Sequence, residues 1–181
     1  MEAHRLNTGF AEVELKVLHF HPKSPLRAWN AADELALLHL QDIPMPARAR
    51  VLVVNDTYGA LAVSLHQFGP DSWGDHHTGR LAMMSNLERN NIAPDAVNFI
   101  ASTDELSGIY DVVIIQLPKT LSLLHWQLTK LRQHLHADSR VIGTGMVKHL
   151  PKTMIDLFES CVGPTTTSLA QKKGAAYFFS L

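Results

Sequence analysis

The stretch VLVVNDTYGAL, residues 51–61, decides the fold. Four consecutive apolar residues predict a strand buried on both faces, as in a parallel sheet covered by helices. Asn55 and Asp56 supply turn chemistry, and Gly59-Ala60-Leu61 opens a helix. A strand, a tight turn and a helix start form the place where a Rossmann-like domain holds a nucleotide cofactor. Such a turn needs two or three glycines, because backbone must come close to the ligand. Here Gly59 stands alone.

Outward from this unit the pattern alternates. Further strands are expected at 71–74, 97–101 (VNFIA), 111–117 (DVVIIQL) and 140–145 (RVIGTG), with helices at 60–67, 78–90, 122–136 and 151–160. PTTTSLAQKKGAAYFFSL, residues 164–181, predicts a closing antiparallel hairpin hinged at Gly174. Ahead of the unit, AEVELKVLHF (11–20) reads as one strand. Ser24-Pro25 reads as a helix cap and first turn leading into LRAWNAADELALLHL. Five βα units with a final hairpin are the order of a class I methyltransferase-like α/β fold: a mostly parallel seven-stranded sheet with helices on both faces. The expected division is a strand-helix extension, residues 1–48, and a methyltransferase-like domain, residues 49–181.

Composition narrows the setting. No apolar run approaches the roughly 20 residues that cross a bilayer, and the polar MEAHRLNTGF is no export signal, so no membrane partner is expected. Cys161 is the sole cysteine, which excludes an internal disulfide and fits a reducing cytoplasm. The net charge of −1 hides an asymmetry: residues 1–118 carry 8 Lys/Arg against 14 Asp/Glu, and residues 119–181 carry 8 against 3. A basic half can meet phosphates, or can be a solvated helical face.

The strings PLRAWNAADELALLHL, VLVVNDTYGALAVSL, WGDHHTGRLAMMSNLERNNI, VVIIQLPKTLSLLHWQL and VGPTTTSLAQKK resemble the N-terminal half of the bacterial large-subunit ribosomal RNA methyltransferase G family. The resemblance covers about residues 8–179, and LPKTLSLL favours it over the sibling small-subunit guanine-N2 enzymes. It implies S-adenosylmethionine-dependent 23S rRNA guanine-N2 methylation by a protein with two tandem methyltransferase-like domains. The catalytic motifs are then expected in a C-terminal domain absent from this chain, which ends at Leu181 directly after YFFSL.

The same resemblance gives each motif position a test. Val53 stands where the first motif carries an acid; Asn55 and Thr57 replace its first two glycines, and Gly59 matches the third. Asp75 matches the acid that accepts the ribose hydroxyls, although an Asp before a helix is also a standard cap. Gln116-Leu117-Pro118-Lys119 replaces the catalytic Asn-Pro-Pro-aromatic, so base stacking is lost and the motif is degenerate. Gly59 and Asp75 remain the only cofactor candidates, and no catalytic residue is assigned. For RNA the candidates are Lys119, Lys130, Arg132, Lys148, Lys152, Lys172 and Lys173, chosen by charge.

The 11 histidines include the pairs His19/His21, His76/His77 and His134/His136, none with a third ligand in a zinc-like pattern, so no metal is expected. Trp29, Trp73 and Trp126 are expected as packing anchors, as is Cys161. The expectation is a non-catalytic domain that assists rRNA recognition and supports the catalytic domain, with S-adenosylmethionine bound by the full-length family and not by this domain. A self-sufficient cofactor-binding methyltransferase and a purely structural interaction domain are the alternatives.

Overall fold

The computed structural model describes residues 4–19, 21, 26–146 and 152–166 in full, and the backbone of 167 and 174–180. Along the chain it runs β1 (Arg5–Asn7), β2 (Glu12–Glu14), α1 (Ala31–Gln41), β3 (Val51–Val54), α2 (Ala60–Ser64), β4 (Asp71–Gly74), α3 (His77–Arg89), β5 (Asn98–Ala101), β6 (Tyr110–Gln116), α4 (Leu121–Leu131), β7 (Leu135–Met146), α5 (Lys152–Cys161), β8 (Thr165–Thr167) and β9 (Gly174–Ser180).

Seven strands form one sheet in the order β5-β4-β3-β6-β7-β9-β8. The five from β5 to β7 are parallel, and β9 runs antiparallel between β7 and β8. This is the class I methyltransferase topology expected from the sequence. The uninterrupted apolar run of β3 makes it possible, because successive side chains serve opposite faces. Val51 and Val53, with Val112 and Ile114 of β6, join a core built with α1, α2 and α3; Leu52 and Val54, with Val113 and Ile115, join one built with α4 and α5. All four β3 side chains are buried, each contributing roughly 1.5–3 kcal/mol on removal from water. The helix of the 1–48 segment shares the first of these cores, with Ala36, Leu37 and Leu40, and packs against β7 and β9.

Three elements differ from expectation. The strand read at 11–20 is only Glu12–Glu14, the second arm of a hairpin with β1. Its continuation is claimed by α3: Asn90 Oδ1 accepts from Glu14 N at 2.8 Å and its Nδ2 donates to Glu14 O at 2.8 Å. Asn86 repeats the pair on Lys16 N and O, at 2.9 and 3.0 Å. Residues four apart on a helix and two apart on an extended chain both step about 6–7 Å, so two asparagines stand in for a neighbouring strand. Ser24-Pro25 lies outside the described residues, and α1 starts at Ala31 behind a capping box: Asn30 Oδ1 accepts from Ala32 N and Asp33 N, and Asp33 accepts from Asn30 N. That box satisfies the orphan amides of the first turn and fixes the start. Finally, α4 stops at Leu131, five residues before the expected end, and β7 begins at Leu135, where it pairs with Tyr110 ahead of a register shift.

Asn86 is fully buried and also donates to Tyr58 O at 3.0 Å. Asn86→Ala should therefore destabilise the chain by about 1–3 kcal/mol through stranded backbone groups, read as a lower urea midpoint. An unchanged midpoint would mean that the hairpin is held by something else.

Candidate functional site

In open α/β sheets ligands bind beyond the carboxyl ends of the strands where the strand order reverses. Here that point lies between β3 and β6. The chain fills it with its own side chains. Asn55 takes a left-handed backbone, φ 63°, tolerated by asparagine, so the turn survives without its first glycine. Its Nδ2 donates to Gln116 O at 3.1 Å and to Gln127 Oε1 at 3.0 Å, and Gln127 Nε2 returns a bond to Asn55 Oδ1 at 2.8 Å. Gln116 Oε1 accepts from Thr57 N at 3.1 Å and Thr57 Oγ1 at 3.0 Å, while its Nε2 donates to Asp33 Oδ1 at 3.0 Å. The amide orientations follow from the backbone: Thr57 N can only donate, and Gln116 O can only accept.

Two damaged motifs therefore meet. Positions 55 and 57 of the turn and position 116 of the strand end are bonded to one another, and through Asp33 and Gln127 to α1 and α4. Between the ends of β3 and β4 and the start of α3, the described residues enclose a cavity of about 10 Å³, lined by Asn55, Asp56, Gly74 and Met83 among others. That is room for about one water, against about 300 Å³ at the low end of ligand pockets.

Gly59 serves this closure. Its φ is +77°, and a Cβ there would lie 2.5 Å from Met83 Cβ, so α3 rests directly on the turn. Gly79 does the same from the helix side, where an added Cβ would lie 3.0 Å from Thr57 O. Asp75 stands exposed after β4 and accepts a hydrogen bond from Ser102 Oγ; the cap position of α3 is His76.

Two acids lie under the filled crevice. Asp33 is buried, and that burial pushes its pKa up to about 7; the Asn30 amide opposes the rise and the Asp56 charge adds to it. Burial lifts Asp56 to about 6, against the amides of Ala62, Leu61, Ala60 and Gly59. Asp56 Oδ2 accepts from Ala62 N at 2.9 Å, closing the start of α2 from within the chain.

The RNA candidates do not form one patch. Lys119, exposed, follows β6, and Lys152 opens α5 at the same end of the sheet. Lys130 and Arg132 lie at the far end of α4, about 16 Å away by helix rise. Lys148, Lys172 and Lys173 lie outside the described residues. Of the paired histidines, His134 Nδ1 is 2.7 Å from Gly108 O, just before β6, and His136 Nε2 is 3.1 Å from Asp111 Oδ1, on β6. Among the described residues no three His, Cys, Asp or Glu side chains group as metal ligands. Trp29 and Trp73 are buried as expected. Trp126 is not: it is 38% exposed, stacked on Trp73 with centroids 5.5 Å apart and planes at 29°. Cys161 is half-buried against the α4–α5 core.

Asp33 and Gln127 were not legible as site residues. Gln127 did carry a signal, an amide among Leu124, Leu128 and Leu131 on the buried face of α4.

Comparison with known proteins agrees with the fold. The chain matches the RLMG N-terminal domain over residues 3–177. It is 43% identical over 169 residues to the ribosomal RNA large subunit methyltransferase G of Pseudomonas putida, and 42% over 169 residues to that of Stutzerimonas stutzeri. In both cases 93% of this chain covers 45% of the relative, so the chain spans less than half the length of these relatives. Among solved structures, a ribosomal protein L11 methylase from Lactobacillus delbrueckii subsp. bulgaricus superposes with a TM-score of 0.69 at 16% identity, covering 98% of both chains. A T. thermophilus 16S rRNA N2 methyltransferase in complex with AdoMet and guanosine gives 0.63 at 14% identity, covering 99% of this chain and 46% of that one. At those identities the likeness is one of fold. No helix among the described residues is long and apolar enough to cross a membrane.

A carboxyl whose folded pKa lies above its ordinary 3.8 binds more protons folded than unfolded. Stability from Asp33 and Asp56 is therefore greatest at low pH and falls as pH rises from about 4 to about 7. His39, lowered by burial, acts in the opposite sense. Asp33→Asn should shrink the loss of urea midpoint between about pH 5 and about pH 8; an unaltered difference would remove Asp33 as its source.

Proposed function

This chain belongs to the RLMG N-terminal domain family, and from that membership we propose that it is the non-catalytic, methyltransferase-like half of a 23S rRNA guanine-N2 methyltransferase. It helps to grip ribosomal RNA and supports a C-terminal domain that carries S-adenosylmethionine and the chemistry. The supporting observation is the occupied crevice: Asn55, Thr57 and Gln116 bond to one another where the cofactor's methionine end would lie, and about 10 Å³ remains.

The positions a methyl transfer needs are all spoken for. Gln116 Oε1 would have to release Thr57 to accept from a target amine, stranding the Thr57 amide and hydroxyl. Lys119 offers no π-face in place of the aromatic that holds a flipped base. Asp75 could still accept a ribose hydroxyl, but the turn beside it admits no ligand backbone. A glycine-poor turn with intact packing suits a domain kept for its surface.

Calorimetric titration with S-adenosylmethionine should give no binding heat at millimolar cofactor. Micromolar affinity would instead support the self-sufficient enzyme. For RNA, the chain should bind a 23S rRNA fragment with an affinity that falls as salt rises. Lys119→Glu should reduce the slope of log K against log salt by about one or more. If the affinity is flat in salt, the rRNA reading fails and a purely structural role takes its place.

A further inference from the structure

Among the described residues, β5 to β6 is the one parallel connection that uses no helix. The steps β3 to β4, β4 to β5 and β6 to β7 carry α2, α3 and α4; residues 102–109 cross in a loop. The flank of β4 and β5 on the α4 side is thereby left open. Between that loop and α4 runs a groove of about 550 Å³. That lies within the roughly 300–1,000 Å³ of sites that take small ligands.

The walls are held in place. At one end of the loop Ser102 Oγ donates to Asp75. At the other, Arg50 Nη1 donates to Ser107 O at 3.0 Å, its Nη2 pairs with Asp71 at 3.2 Å, and its guanidinium lies 4.7 Å from the Tyr110 ring centroid. Tyr110 Oη in turn donates to Asp71 Oδ2 at 2.7 Å. The groove is thus preformed.

Its lining is chemically specific. Trp73 is buried, and its indole N–H has no hydrogen-bond partner among the described residues. Trp126 stacks on it and keeps 38% of its surface exposed. Lys130, four residues on, shares that face of α4, with Gln133 beyond. Asp104 and Glu105 stand exposed on the loop side.

Resting on the RNA-binding reading above, we infer that this groove takes one unpaired nucleotide of the RNA, its base stacked on Trp126 and its phosphate on Lys130. A sequence-tolerant stacking platform beside a cation is how proteins hold single strands. The carboxylates fix the direction: acceptor-only groups repel phosphate and take the donor-bearing edge of a base, for which guanine offers two adjacent donors. Charges of both signs along the groove disfavour an apolar partner helix. The site lies on the flank of the sheet, away from the filled crevice, so it needs none of the lost methyltransferase motifs.

The probe is a labelled single-stranded octauridylate with one central guanosine, titrated into the whole chain by fluorescence anisotropy. Trp126→Ala should weaken binding about tenfold or more, and Trp126→Phe should recover most of it. Lys130→Ala should lower the salt slope by about one. Because Lys130 is exposed, this variant reads the site even if truncating Trp126 unfolds the chain. If the octamer binds equally well to Trp126→Ala, Trp126→Phe and Lys130→Ala, the groove assignment is overturned and the RNA reading stands. The same holds if a 23S rRNA fragment binds and the octamer does not. Failure of the unaltered chain to bind either RNA overturns both.

Discussion

The carboxamide of Gln116 joins two parts of the chain that a methyltransferase keeps apart for its ligand. One oxygen accepts the Thr57 amide and hydroxyl, and one nitrogen reaches Asp33 on α1. The side chain is one methylene longer than the asparagine that such enzymes place there, and that length lets it cross to the turn. The turn, for its part, can add a hydroxyl to its amide only because Thr57 stands where the motif has a glycine. Neither change makes sense alone. A glutamine without Thr57 would leave an acceptor half satisfied in a part-buried crevice, and Thr57 without the glutamine would leave a crowded turn with a donor unused. The two substitutions are read as a single closure, and Asn55 with Gln127 seals its other side.

Much of the architecture was legible because it depends on local pattern. VLVV and DVVIIQL are apolar on both faces, and a strand with two buried faces must be central in a covered sheet. The closing hairpin followed from β-rich residues after a helical stretch. What could not be read were features set by long-range partners. The three asparagines of SNLERNN look like ordinary helix-end residues, yet two of them, Asn86 and Asn90, supply the edge that ends β2. Asn30 lies inside an apolar helical pattern, and only its bonds to residues 32 and 33 reveal a start there in place of one near Pro25. In the site, the loss of glycines was visible, but the fate of the vacated space was not. That depended on Asp33 and Gln127, which are 22 residues upstream and 72 residues downstream of Asn55.

Buried acids show how firmly that closure is held. Burial lifts the pKa of Asp33 to about 7 and of Asp56 to about 6, and the Asp56 charge adds to the rise at Asp33. A fold would not retain two such groups for stability alone, since desolvation works against them. Their hydrogen bonds explain the retention: Asp33 caps α1 and anchors Gln116, and Asp56 caps the short α2 whose amides would otherwise face a cofactor.

This changes where a ligand can be held. In an open α/β sheet the strand ends are the usual functional edge, and helices cover the flanks. Here the edge is closed by Gln116 and its partners, while the flank is open because residues 102–109 cross without a helix. The Arg50–Asp71–Tyr110 cluster braces that opening, and Arg50 also ties down the loop through Ser107 O. Closing the crevice and opening the flank are thus complementary: at the strand ends the chain's own side chains bond to one another, and along the flank the stacked Trp73 and Trp126 line a groove.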